Sequence, residues 1–193
     1  MSDSVIDGID YGPLAHLVGR WIGTKGVDDA PDANAESDIS AYTDELSFIL
    51  AGRAENAEEQ ELVAIRYHHL VRKNENGQIF HDQIGHWLYE AATGLVMHSL
   101  TIPRGICLLA GGDLIQENAS CTFRVEATEG SDTFGIVQSP FMLAKARTKA
   151  FKMQLTVQGN SLHYRQTTAL HIYGKDFEHH DESKLQRVTY DLD

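Results

Sequence analysis

The sequence has few basic residues and no long apolar run, and each shortage excludes a class of protein. Sixteen Lys and Arg residues face 28 Asp and Glu residues, which gives a formal net charge of −12 at pH 7. A surface with this excess of acid cannot neutralise phosphates, so we expect neither a nucleic-acid partner nor docking to anionic lipid. No run of about 18 apolar residues occurs, which argues against a membrane-spanning helix.

Cysteines and export signals are also scarce. The chain has only Cys107 and Cys121, and both lie in apolar, strand-like stretches. The acidic start, MSDSVIDGIDYGPL, lacks the basic residues and the apolar centre of a secretory signal. We therefore expect two reduced cysteines in the core of a cytoplasmic protein.

Conventional enzyme motifs are missing from the sequence. It contains no G-x-S-x-G elbow, phosphate loop, dinucleotide fingerprint or H-E-x-x-H. The segment HHDE (179–182) places potential metal ligands side by side. This spacing suits neither one face of a helix nor one face of a strand, so no dedicated zinc site is expected.

What the sequence does have is a succession of alternating segments separated by turn signals. In LVAIRYHHLV (62–71), the odd-numbered residues from Val63 to Val71 share one face. Asn76-Gly77 then predicts a hairpin turn. The other predicted strands are QIFHDQIGHWLYE (78–90), LVMHSLTI (95–102), SCTFRVEA (120–127), AFKMQLTV (150–157), SLHYRQTTALHIY (161–173) and KLQRVTYDL (184–192). The segment GPLAHLVG (12–19) is the helix candidate near the start.

This pattern predicts a single all-β domain over residues 1–193, with an N-terminal arm at 1–11 and a short helix. About ten antiparallel, up-and-down strands would close into a barrel, because closure removes exposed strand edges. Several strands are polar on both faces, such as the one that carries Tyr67, His68 and His69. A ligand cavity explains that polarity, and so do strands that run past the barrel into solvent; both interpretations stand.

An ordered set of segments, from LVGRWIGTKG (17–26) to FEHHDESKLQRV (177–188), resembles the nitrobindin-like haem-binding β-barrel family, in particular its bacterial branch. LVGRWIGTKG (17–26) is similar to the G-x-W-x-G opening of lipocalin-like and fatty-acid-binding-protein-like barrels. The other matching segments are KGVDDAP (25–31), YHHLV (67–71), FHDQIGHW (80–87), SLTIPRG (99–105), QSPFM (138–142), QTTALHIYG (166–174) and FEHHDESKLQRV (177–188).

The resemblance implies a ten-stranded barrel with a ferric b-type haem at its mouth, nitric oxide or peroxynitrite chemistry, and a homodimer. A family histidine just before the last strand ligates the iron, in a pattern like H-L-x-A-x-L-x-R. On this sequence that histidine is His180, with Leu185 and Arg187 at matching positions. The chain departs from the pattern at Asp181, where the family has leucine, and at GTKGVDDAP, where the family has G-x-G-x-Y-P. In the bacterial branch the ending is similar to F-x-H-x-D, which gives the pattern to His179 and Asp181 instead.

Three functional hypotheses follow. The first is ferric haem on His180, with peroxynitrite isomerase activity if haem is bound. The second is a haem-free carrier or sensor of a small, partly anionic organic molecule, and the third is an acid–base enzyme that uses His179 with Asp181. The predicted cavity-binding residues are Lys25, His81, Gln83, Arg104, Met142, Thr168, Tyr173 and His179, with His180 as the metal ligand.

Position and chemistry distinguish these residues. Lys25 and Arg104 offer cations at strand ends, and Arg104 suits a carboxylate. His81 and Gln83 lie two positions apart and therefore share a strand face. Thr168 offers a hydroxyl to the cavity, Tyr173 precedes a glycine at the mouth, and Met142 belongs to a predicted lip segment (138–143).

Overall fold

Alternating side chains and turn-forming residues build an antiparallel barrel in the computed structural model, which describes residues 4–188. The strands are β1 (Val5–Ile6), β2 (Ile9–Asp10), β3 (Gly19–Pro31), β4 (Ser37–Asn56), β5 (Gln60–Lys73), β6 (Ile79–Glu90), β7 (Leu95–Ile102), β8 (Ile106–Glu117), β9 (Ser120–Thr128), β10 (Ile136–Gln138), β11 (Ala146–Gln158), β12 (Ser161–Ile172) and β13 (Lys175–Arg187). A 3₁₀ helix spans Gly12–Leu17, and α1 spans Pro140–Lys145.

Ten of these strands close the barrel. Each of β3 to β8 pairs with the next strand, β9 pairs with β11, and β11, β12 and β13 follow in order. The pairing of β13 with β3 closes the ring. The short strand β10 pairs with the first three residues of β8, and β1 and β2 form a small separate hairpin. The all-β class, the up-and-down barrel and the short helix near the start are confirmed.

The 3₁₀ helix closes one end of the barrel, which we call the base. Its Leu14 and Leu17 are fully buried, and the Trp21 indole Nε1 donates a hydrogen bond to the Leu17 carbonyl at 2.8 Å. The Arg187 guanidinium lies 4.1 Å from the centre of the Trp21 ring. The opposite end, where β3, β5, β7, β9 and β12 finish, is the mouth, and α1 lies beside it.

The last strand begins earlier than the sequence predicts, at Lys175 and not at Lys184. The predicted strand also extended to residue 192, and its residues 189–192 lie outside the described part of the chain. Both cysteines are free, and the predicted core position is confirmed for Cys121, which is buried. It is wrong for Cys107, which is exposed because it faces outward on β8.

No helix among residues 4–188 has the length and apolar character needed to cross a membrane.

Candidate functional site

The early start of β13 separates the two adjacent histidines onto opposite faces of the barrel wall. Side chains alternate along a strand, so His179 points inward and His180 points outward. The His180 ring is half exposed, and its Nδ1 lies 3.1 Å from the Thr167 hydroxyl on the neighbouring strand. His180 as an iron ligand stays a prediction, but a ligand inside the barrel would lie on the other side of the wall.

The inward His179 meets two carboxylates at the mouth. Its Nε2 lies 2.6 Å from Asp28 Oδ1 and 3.5 Å from Asp181 Oδ1. Asp181 follows His179 by two positions on β13, and Asp28 on β3 is the Cα partner of Asp181 across the closure of the barrel. The Gln166 side-chain amide donates a hydrogen bond to the other oxygen of Asp181 at 3.2 Å. We call Asp28, His179 and Asp181 the mouth triad.

The mouth triad holds its histidine in the charged form. Burial alone would lower the pKa of His179, but hydrogen bonds and charge from Asp181 and Asp28 outweigh it and raise the pKa to about 10. Burial raises the pKa of Asp28, with the neighbouring Asp181 charge adding to that shift. Burial pushes the pKa of Asp181 upward as well, but the contacts with His179 outweigh it and the net shift is downward. At neutral pH, His179 is therefore an imidazolium beside ionised Asp181.

A second buried network lies below the mouth triad and is centred on Asp44. This carboxylate accepts hydrogen bonds from Ser183 Oγ at 2.8 Å, Tyr164 OH at 3.0 Å and His69 Nε2 at 3.2 Å. The Tyr42 and Tyr164 hydroxyls lie 2.7 Å apart. Every member of the network is buried. Because its hydrogen bonds are satisfied within the protein, this network supports the mouth and holds the wall strands in register.

Two glycines of β3 make room for that network. A Cβ on Gly23 would lie 2.2 Å from Asp44 Oδ1, and one on Gly26 would lie 2.0 Å from the Tyr42 ring. The β3–β4 register also shifts between these glycines. The segment LVGRWIGTKG (17–26) therefore serves both strand bending and the close approach of buried polar side chains.

A third group of polar side chains leads from the mouth into the barrel; we call His81, Gln83, Tyr67 and His98 the histidine row. His81 Nε2 donates to the Gln83 side-chain oxygen at 3.1 Å, and Gln83 Nε2 donates to the Tyr67 hydroxyl at 2.6 Å. His98 Nε2 lies 2.8 Å from the same hydroxyl. The Tyr67 hydroxyl itself donates to the Ser99 carbonyl at 3.2 Å. The row is therefore hydrogen-bonded from end to end.

The inner end of the row carries an unpaired polar atom. His98 is fully buried and stacks on Trp87 with ring centres 4.3 Å apart, but its Nδ1 has no hydrogen-bond partner. Because the Tyr67 proton goes to Ser99, the proton of the His98 ring lies on Nε2, and Nδ1 is an acceptor. Burial lowers the pKa of His81 to about 4 and that of His98 to about 3, so both rings are neutral at pH 7.

The structure separates the sequence-predicted site residues into two groups. His81, Gln83, Thr168 and His179 face the interior, and Thr168 on β12 is the Cα partner of His179. The others lie at the periphery: Lys25, Arg104 and Tyr173 are exposed, and Met142 on α1 packs against the apolar core. Arg104 donates a hydrogen bond to the Phe80 carbonyl at 2.9 Å, and its charge contributes weakly to the low pKa of His81.

Two cavities lie away from these groups. One of about 490 Å³ runs along the outer face, where Asp113, Arg124 and Lys152 line it. The other, of about 610 Å³, lies beside the base next to Pro13 and Glu61. No ionisable side chain that lines either cavity is buried. Since perturbed, desolvated groups mark functional sites, the mouth triad and the histidine row are the stronger candidates.

Comparison with known proteins agrees with this architecture. The crystal structure of Rv2717c from M. tuberculosis superimposes with a TM-score of 0.68 at 18% sequence identity, covering 91% of this chain and 95% of that one. At that identity the likeness shows the fold alone. No curated protein matches the chain.

A family model provides the assignment. The model described as the THAP4-like, heme-binding beta-barrel domain matches residues 10–187. With the structural neighbour, this match confirms the resemblance to nitrobindin-like barrels. It supports a barrel that binds a small molecule and, in general terms, haem binding. The chain thus belongs to the family of THAP4-like heme-binding beta-barrel domains.

Proposed function

We propose that this protein is a haem-free carrier or sensor of a small organic molecule that is uncharged or cationic and carries a hydrogen-bond donor. The observation that supports this most directly is the histidine row, which leads from the mouth to the unpaired, fully buried Nδ1 of His98. An unsatisfied buried acceptor costs about 1–3 kcal/mol, and a donor group from a ligand would remove that cost. The proposed ligand enters at the mouth and extends along the row.

The residues of the mouth do not fit a haem held as the family pattern implies. A haem b group needs an inward imidazole with a free lone pair and an apolar slot. His180 lies on the outer face, and the inward His179 lies between two carboxylates, Asp28 and Asp181, in place of an apolar slot. Nitric oxide or peroxynitrite chemistry on a His180-bound iron therefore has no support in the geometry.

The charges at the mouth also disfavour an anionic ligand. Asp28, Asp44 and Asp181 point into the barrel, and their hydrogen bonds come from histidine, tyrosine, serine and glutamine side chains. The two cations expected to anchor an anion, Lys25 and Arg104, are exposed. The His179 imidazolium is already paired with Asp28 and Asp181. An anionic group would therefore find no unpaired cation there, so the geometry supports a neutral or cationic ligand in place of a partly anionic one.

The two tryptophans make this proposal testable by NMR. The full chain, treated with EDTA, would be titrated with benzamide, benzylamine and benzoate while the indole N–H signals are followed. Trp87 stacks on His98, whereas Trp21 lies at the base and serves as an internal control. Benzamide or benzylamine should shift the Trp87 signal saturably and leave Trp21 unchanged, and benzoate should have no effect. A preference for benzoate, or equal shifts of both indoles, would overturn the proposal.

A further inference from the structure

We propose that the mouth triad, Asp28, His179 and Asp181, is a binding site for a divalent transition-metal cation of the Zn²⁺ or Co²⁺ type. This site goes beyond the proposed small-molecule binding, because it requires no organic ligand. The three side chains each direct one ligand atom to a common point, and these atoms all lie within 4.8 Å of one another. One imidazole nitrogen and two carboxylate oxygens form a donor set that such cations accept.

The spacing of the donor atoms is close to that of a coordination sphere. Metal–ligand bonds of about 2.0–2.1 Å place adjacent ligand atoms about 2.9–3.4 Å apart at octahedral or tetrahedral angles. The two distances from His179 Nε2, 2.6 Å to Asp28 and 3.5 Å to Asp181, lie on either side of that range. For these two pairs of atoms, a cation would therefore require shifts of less than about 1 Å.

The two carboxylates of the mouth triad favour a bound cation. Two carboxylates that meet at a partly buried site cannot both be ionised without positive charge between them. Within residues 4–188, the donors to these carboxylates are the protonated His179 ring and the neutral Gln166 amide, and the two carboxyl groups also contact each other. A divalent cation that replaces the proton would balance both carboxylates and leave the imidazole neutral, which is the form that binds metals.

The strands fix the triad before any cation arrives. His179 and Asp181 share one face of β13, and Asp28 lies opposite Asp181 on the hydrogen-bonded partner strand β3. Gln166 holds the second oxygen of Asp181 and so fixes the plane of that carboxylate. Three protein ligands also leave coordination positions open to water or to a small molecule in the mouth.

The test is a titration of the EDTA-treated full chain with Co²⁺, followed by visible absorption, and with Zn²⁺, followed by calorimetry. We expect one saturable site per chain. His179→Gln and Asp181→Asn should each weaken binding by more than about 10-fold, and Gln166→Ala by about 10-fold. His180→Gln is the matched control, because it changes the adjacent histidine on the outer face, and it should bind as the wild type does.

Absence of saturable binding by the wild-type protein would overturn the site, as would equal binding by wild type and His179→Gln or a loss that follows His180→Gln instead. If the His179 variant fails to fold, paramagnetic Co²⁺ in the wild-type protein gives an independent answer. The ring-proton signals of His179 should shift strongly and those of His180 much less; similar shifts of both would also overturn the site. The titration with benzamide and benzylamine is done without metal, so failure of the metal site leaves that result unchanged.

Discussion

Burial fixes the protonation state of His98, and the direction of its pKa shift predicts a pH dependence. The pKa falls from 6.5 to about 3 in the folded protein because the ring is desolvated. The folded state therefore stays neutral while the unfolded chain takes up a proton below about pH 6.5. The stability that this residue contributes is present above pH 6.5 and is lost as the pH falls toward 3.

We expect His98→Phe, which keeps the stack on Trp87, to lose less stability than the wild type between pH 7 and pH 5. The two losses in the free energy of unfolding should differ by about 2 kcal/mol, since each pKa unit is worth about 1.4 kcal/mol. Urea unfolding at the two pH values measures it, with His86→Ala on the exposed outer face as the control. Parallel pH profiles for the wild type and His98→Phe would show that His98 is not held neutral.

The raised pKa of His179 predicts the opposite dependence of stability on pH. Its pKa is raised to about 10, because Asp181 and Asp28 outweigh the effect of burial. The stabilisation is complete below about pH 6.5 and declines as the pH rises through 10. In EDTA, the stability advantage of the wild type over His179→Gln should therefore shrink between pH 7 and pH 10. An advantage that stays constant or grows over this interval would contradict the assigned charge.

Among the elements, β13 shows where the sequence pattern loses its predictive value. Apolar and polar residues alternate along β9 and β11. This alternation predicts β9 to within one residue, and it predicts β11 except for its first four residues and its last. The first half of β13 has polar residues on both faces, so no apolar period marks it as a strand. That is why His179 and His180 were expected before the strand and not within it.

The glycine pair of β3 gives a prediction at the same scale. Gly26→Ala should destabilise the protein by roughly 1–3 kcal/mol, because the new Cβ would overlap the Tyr42 ring and disturb its bond to Tyr164. Lys25→Ala, an exposed neighbour in the same strand, should change stability by less than about 0.5 kcal/mol. Thermal or urea unfolding of both variants checks this, and equal effects would mean that the close approach is unimportant.

Closure of the base is a property of the whole barrel. Arg187, at the end of the last strand, covers Trp21 and donates hydrogen bonds to the Val18 and His16 carbonyls, the latter at 2.7 Å. Arg187→Ala removes both the packing and the donors, so we expect a loss of roughly 1–3 kcal/mol in urea unfolding. Lys184→Ala, exposed on the same strand, is the control, and a similar loss there would contradict a specific role for Arg187.

The whole molecule also determines which parts of the site were predictable. The barrel type follows from the strand pattern and the ordered family segments, and the inward pair His81 and Gln83 follows from alternation along β6. The mouth triad does not, because Asp28 and His179 lie 151 positions apart and meet only when β13 pairs with β3. Asp44 is not predictable for a related reason: its buried carboxyl side chain is tolerated only because residues of distant strands supply its hydrogen bonds.

The most direct test of the central claim is a titration of the purified, EDTA-treated protein with ferric haem, followed by absorbance, for the wild type, His179→Ala and His180→Ala. Because His180 faces outward and the mouth is acidic, we predict weak, non-saturating uptake that is the same for all three proteins. A saturable Soret band at one haem per chain, lost or shifted in either variant, would contradict a haem-free barrel, and the variant that loses it would identify the iron ligand.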